Sequence, residues 1–160
     1  MHKTTFLLPI VAGLLLGTHG VARAQVAETT DTGACPQLPA STGLSWEHRA
    51  SGDADFCRAL RGDGSEAFGL YISPKPTFEP IRSDREESGQ IDGRQIYWYR
   101  AEIAAKPGIE ARETLLSLPD GRAVHIWLQA PNRGQLDAGL QLAQSLHFVP
   151  ANDKQIASGQ

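Results

Sequence analysis

The sequence predicts an α+β domain: an antiparallel β-sheet of about five to six strands with a C-terminal amphipathic helix packed on one face. Three observations carry this expectation. Short apolar or alternating segments succeed one another from Leu44 to Ala130, each bounded by Gly, Asp, Pro or Ser. Two of the boundaries, Asp92-Gly93 and Pro119-Asp120-Gly121, have hairpin-turn composition. Arg133 to His147 is the one stretch whose apolar residues recur at helical spacing.

The first 24 residues stand apart from the fold. Lys3 supplies a positive start, Phe6 to Leu16 is almost wholly apolar, and Ala22-Arg23-Ala24 is a small-x-small cleavage pattern. A signal peptide over residues 1–24, cut after Ala24, is therefore expected. The apolar run is shorter than the roughly 20 residues a membrane span needs. Cys35 lies too far downstream, after Asp31-Thr32-Gly33-Ala34, to be a lipid-attachment site. The expected product is periplasmic or secreted, with a flexible leader at 25–43, one domain at 44–149 and a flexible tail at 150–160. Loss of Lys3 and Arg23, with no acid removed, takes the formal charge from −3 to −5. A mildly acidic chain without a basic block argues against nucleic acid or an anionic membrane as partner.

Two cysteines remain in the exported part, Cys35 and Cys57. An even count in an oxidising compartment predicts one disulfide, which should add about 3 kcal/mol by closing its loop. The spacing suits neither a redox CxxC nor a zinc site.

The elements follow in order. Leu44 to Arg49 forms a short first strand. Asp55 to Arg61 and Glu66 to Ser73 form a pair joined by Gly62-Asp63-Gly64-Ser65. The stretch SPKPTFEPIRSDREES, with three prolines and a charge cluster, is expected to be a long loop. Asp92-Gly93 then turns the chain into Arg94 to Ile103, a segment dense in aromatic and β-branched residues that Lys106-Pro107-Gly108 ends. Ala111 to Leu118 and Arg122 to Ala130 follow.

Pro119-Asp120-Gly121 helps to fix register. A three-residue loop sets Leu118 opposite Arg122 and places Leu116, Val124, Ile126 and Leu128 on one face. A two-residue loop would set Leu116 beside His125 and mix the faces, so the three-residue loop is expected. The helix, capped by Asn132, carries Leu136, Leu140, Ala143 and His147 as a stripe that Leu142 and Leu146 widen. That stripe should cover the Leu116/Val124 face, and His147 should sit at the helix C-terminus, where a cation suits the dipole.

Chemistry-bearing patterns are scarce. His48, His125 and His147 fall in no HxxxH, HxH or HExxH spacing, and the calcium-loop pattern is absent, so no metal and no cofactor are expected. GxSxG is absent as well, and Gly64-Ser65 and Ser88-Gly89 suit turns or loops. Asp53/Asp55 and Glu86/Glu87 lie in or beside polar sequence and are expected on a solvated surface. Arg61-Gly62-Asp63 falls where a turn requires Gly and Asp. No catalytic residue is expected.

The aromatic residues are more informative. Tyr97, Trp98 and Tyr99 are consecutive, so alternation sends Trp98 to one face and both tyrosines to the other. If the tyrosines join the core, Trp98 lies near Trp127, His125 and Leu115 on the face opposite the helix. Together with Phe78 of the proline loop these residues form a candidate interaction patch. Alternatively the segment around Trp46, or the Phe78 loop, covers that face as a second small core. The expected function is an exported, non-catalytic protein-binding module, inhibitor- or immunity-like, whose partner is another extracytoplasmic protein. A small-molecule or lipid carrier is the alternative, and an enzyme of unrecognised type comes last.

Overall fold

The structure, a computed structural model, describes residues 34–101 and 108–148. The expected signal peptide and the tail from Pro150 lie outside the described residues. Seven strands form one antiparallel sheet: β1 (Ser45–Ser51), β2 (Ala54–Leu60), β3 (Glu66–Ser73), β4 (Arg85–Ile91), β5 (Arg94–Arg100), β6 (Glu110–Ser117) and β7 (Ala123–Ala130). Their spatial order is β1-β2-β3-β7-β6-β5-β4, and the one α-helix among the described residues, α1 (Arg133–Gln144), packs on one face. Among the described residues, no helix is long and apolar enough to cross a membrane.

The strand count exceeds the expected five to six because the charge cluster is not loop. Arg85–Ile91 pairs with β5 through the Asp92-Gly93 turn, where both residues take positive φ, 51° and 75°. β4 is an edge strand, and charged side chains are tolerated there because one side faces water. Only residues 74–84 remain as the proline loop.

That loop has a topological duty. β3 lies third in the sheet and β4 seventh, so the chain must cross β7, β6 and β5 to reach the far edge. Four strand spacings amount to about 19 Å, well within the reach of eleven residues. With α1 on one face, the loop crosses the other.

The Pro119-Asp120-Gly121 turn is the three-residue loop. Leu118 N–H donates to Arg122 O at 2.8 Å, and Leu116 stands opposite Val124. Val124, Ile126 and Leu128 are consequently buried against Leu136, Leu140, Ala143 and Leu146, with Phe68, Leu70 and Ile72 of β3 beside them. Asn132 caps α1 by accepting from the Gln135 N–H at 3.0 Å. The helix ends at Gln144, earlier than expected, where the Ser145 hydroxyl donates to Leu142 O at 2.7 Å. His147 is therefore not at the helix terminus. It forms a two-way backbone bridge with Gln37 at 2.8 and 3.2 Å.

Within the segment assigned to the leader, Cys35 is joined to Cys57 of β2 with a Cα–Cα distance of 6.0 Å. Trp46 donates its indole N–H to Pro36 O at 2.8 Å and meets Phe68 edge-on, with ring centroids 5.8 Å apart. The Trp46 segment thus belongs to the helix side of the sheet.

An ion cluster closes the N-terminal end of the helix. Arg112 is buried and donates through Nε and Nη2 to both oxygens of Glu87, at 2.8 and 3.1 Å. Arg133, the first residue of α1, adds a third bond to Glu87 at 2.7 Å. Glu87, expected on a solvated surface, instead ties β4, β6 and α1 together. Burial raises its pKa, but the hydrogen bonds and charges of Arg112 and Arg133 outweigh this and hold the carboxyl below its ordinary value. Glu87→Ala removes both carboxylate oxygens hydrogen-bonded to the buried Arg112, with Glu86 left 3.8 Å away, and is expected to cost about 2–3 kcal/mol in urea unfolding. Arg49→Ala, at a side chain that is 72% exposed in its pair with Glu47, should cost less than about 1 kcal/mol. A folded pKa below the unfolded one also means that Glu87's contribution is present above the unfolded value and is lost as pH falls through the folded value. Stability measured from neutral to acidic pH should therefore fall less steeply in Glu87→Gln than in the native chain.

Candidate functional site

The sheet face away from α1 is set by the same registers that bury the other face. Trp127 stands opposite Gly69 on β3 and Glu113 on β6. His125 stands opposite Tyr71 and Leu115. Phe56 pairs with Tyr71, Arg58 with Gly69, and Tyr99 with Glu113. Alternation therefore places Phe56, Tyr71, Tyr99, Glu113, Leu115, His125 and Trp127 together, and all seven are half-buried.

Their rings form a row across the sheet. Phe56 and Trp127 have centroids 5.6 Å apart, Trp127 and His125 5.3 Å, His125 and Phe78 4.6 Å, and Phe78 and Tyr99 6.4 Å. Beyond Tyr99, the Arg85 guanidinium lies 3.7 Å above the exposed Tyr97 ring and carries the patch to the β4 edge. Four of the five residues expected in an interaction patch, Trp127, His125, Leu115 and Phe78, do meet here.

Trp98 does not. It lies on the helix side with no exposure at all, and its Nε1 has no hydrogen-bond partner. The tyrosines, not the tryptophan, take the outer face. The physical reason is volume: Trp98 alternates with the buried Ile96, and this strand supplies the core beside Ile91 and α1. Tyr99 occupies the place that the sequence suggested for Trp98. Phe56, Tyr71 and Tyr99 were not singled out from the sequence, although Gly69, inside a strand, is a signal of close approach. A Cβ at Gly69 would collide with the Trp127 indole.

The proline loop is anchored to this face by a chain of three side chains. Thr77 Oγ1 lies 2.8 Å from His125 Nδ1, and His125 Nε2 lies 2.9 Å from Glu113 Oε2. A carboxylate can only accept, so Nε2 carries the proton, and Nδ1 accepts from the Thr77 hydroxyl. Hydroxyl, imidazole and carboxylate in this order resemble an activated nucleophile. Yet Phe78 lies tilted against the imidazole, and the flanking Pro76 and Pro80 have no N–H to offer an oxyanion. The arrangement holds the loop down. Under it lies an open groove of about 520 Å³ lined by Pro76, Thr77, Phe78, Glu79, Pro80 and Leu115.

Of the remaining histidines, His48 pairs with Asp55 at 2.9 Å at the β1–β2 edge, and His147 Nδ1 lies 3.5 Å from Asp92. Among the described residues, no group of three or more His, Cys, Asp or Glu is placed to hold a metal ion. The chain matches no known family model, no curated protein and no solved structure.

Burial under the loop lowers the His125 pKa, and the Glu113 carboxylate offsets this only in part. A base with a depressed folded pKa takes up protons more readily when unfolded, so its contribution falls as pH drops below the ordinary value of 6.5. The native chain should therefore lose stability between about pH 7 and pH 5 more steeply than His125→Asn, measured by urea unfolding at each pH.

Proposed function

We propose that the chain is an exported, non-catalytic protein-binding module, and that it contacts its partner through the outer sheet face and the proline loop. The observation that carries this reading is the row of half-exposed rings from Phe56 to Tyr99, extended by Tyr97 and Arg85. Trp, Tyr and Arg dominate the energetics of protein interfaces, and a cluster of them on one open face suits such a role. The Cys35–Cys57 disulfide is compatible with an extracytoplasmic location. An inhibitor- or immunity-like protein fits a small single domain that works by covering another protein's surface.

A carrier is the second reading, favoured by the groove beneath the loop, whose volume lies within the roughly 300–1,000 Å³ of ligand pockets. The N-terminal segment does not line that groove, because Trp46 packs on the helix side.

Affinity capture from an extracytoplasmic extract, read by native mass spectrometry, tests the proposal. A stoichiometric protein partner is expected. Phe78→Ala and Tyr99→Ala should each weaken its retention by at least about tenfold, a loss of about 1.4 kcal/mol, while changing stability little. Trp98→Ala should instead cost about 3–5 kcal/mol of stability by opening a core cavity. A monomer that retains only a small molecule would favour the carrier, and a partner whose binding ignores both substitutions would contradict the proposed surface.

A further inference from the structure

The seven-stranded sheet has two edges, and they are not alike. At the β4 edge the register with β5 breaks between Arg85 and Ser88, and the outward N–H of Gln90 already donates to Gln144 Oε1 at 3.1 Å. A register break and a capping side chain both obstruct the approach of another strand. The β1 edge has neither. Ser45 to Ser51 pair with β2 in unbroken register and include no proline.

The turn after β1 fixes which backbone groups face outward. Gly52-Asp53 is a two-residue loop with Gly52 at φ 63°, so Ser51 and Ala54 exchange both hydrogen bonds. Alternation then turns the N–H and C=O of Arg49, Glu47 and Ser45 toward β2, and those of Ala50, His48 and Trp46 outward. Among the described residues, no backbone group pairs with this outward row.

We propose that this edge pairs with the β1 edge of a second copy of the chain, antiparallel and about a two-fold axis at His48. A two-fold contact must be self-complementary, and the charge order of SWEHRAS meets that condition. Centred on His48, the register sets Ser45 against the copy's Ser51, Trp46 against its Ala50, and Glu47 against its Arg49. Moving the axis by one residue would set Glu47 against Glu47 or Arg49 against Arg49, and like charges directly opposite repel.

The side chains suit the centred register on both faces. On the outer face, Glu47 Oε2 accepts from Arg58 of β2 at 3.0 Å, and the copy's Arg49 comes to stand on its other flank. Arg49 is held by Glu47 of its own strand at 2.7 Å but is 72% exposed, so its guanidinium can turn outward. On the helix face a large indole meets a methyl group. Each His48 ring is drawn back toward Asp55 of β2, at 2.9 Å, and away from the axis. Both outer faces then lie on one side of a continuous sheet, so the dimer presents the Phe56–Tyr99 row twice. The edge and the row are different surfaces, and failure of either reading leaves the other standing.

Sedimentation velocity of the purified chain over a roughly hundredfold range of concentration tests the pairing. A single strand edge buries little area, so a weak, reversible monomer–dimer equilibrium is expected. Ala50→Pro removes an outward N–H at an exposed position, a change that an edge strand tolerates. It should abolish the dimer while the thermal midpoint changes little. Arg49→Glu and Glu47→Arg should each weaken association by at least about tenfold. An equimolar mixture of those two variants should recover it, because every facing pair is again of opposite charge. A chain that stays monomeric throughout would overturn the inference. So would a dimer that Ala50→Pro leaves intact, which would place the contact on another surface. A mixture of the charge variants that associates no better than either alone would overturn it as well.

Discussion

The pairing register of β6 with β7 is the constraint on which the rest of the molecule depends. Pro119-Asp120-Gly121 closes a three-residue turn, and the Leu118–Arg122 bond locks it. Once Leu116 faces Val124, period-2 alternation leaves no choice. Val124, Ile126 and Leu128 go under α1, and Leu115, His125 and Trp127 go to the opposite face. A slip of one residue would exchange the two sets, burying a histidine and a tryptophan beneath a helix shaped for aliphatic side chains. Core and candidate site are two sides of one register.

The crossing of the proline loop completes the second side. Because β3 and β4 lie four positions apart, the connection has to pass over the sheet, and α1 already occupies one face. Proline suits such a segment because it makes no demand for ladder hydrogen bonds. Thr77 and Phe78 fasten the crossing to His125 on β7, the first strand that it passes over. A connection required by topology thereby becomes the lip of a groove.

Much of the fold was legible because tight turns carry register. The Asp92-Gly93 and Pro119-Asp120-Gly121 hairpins, the Asn132 cap and the Cys35–Cys57 bridge all stand where the residues put them. What was not legible traces to places where no tight turn links neighbours. The faces of β5 relative to β6 are not tied by a short turn, since nine residues separate Arg100 from Glu110, so Trp98 could be assigned to either side. β4 was hidden by its charges: the stretch that holds Arg85, Glu86 and Glu87 reads as loop, although an edge strand can carry them. The loop crossing, and with it the grouping of Thr77, His125 and Glu113, depends on strand order, which no local pattern encodes. The four patch residues that did meet, Phe78, Leu115, His125 and Trp127, owe that either to the one hairpin whose register the turn set or to the loop above it.

The central claim is that the sheet is two-sided, with Trp98 sealed under the helix and Trp127 on the opposite face. Hydroxyl-radical footprinting of the native protein, read by peptide mass spectrometry, tests it most directly because all three indoles report in one experiment. Oxidation should be fastest at the exposed Tyr97, intermediate at the half-buried Trp127 and Trp46, and slowest at Trp98. Oxidation of Trp98 as fast as that of Trp127 would contradict the assignment of faces, and with it the site built on them.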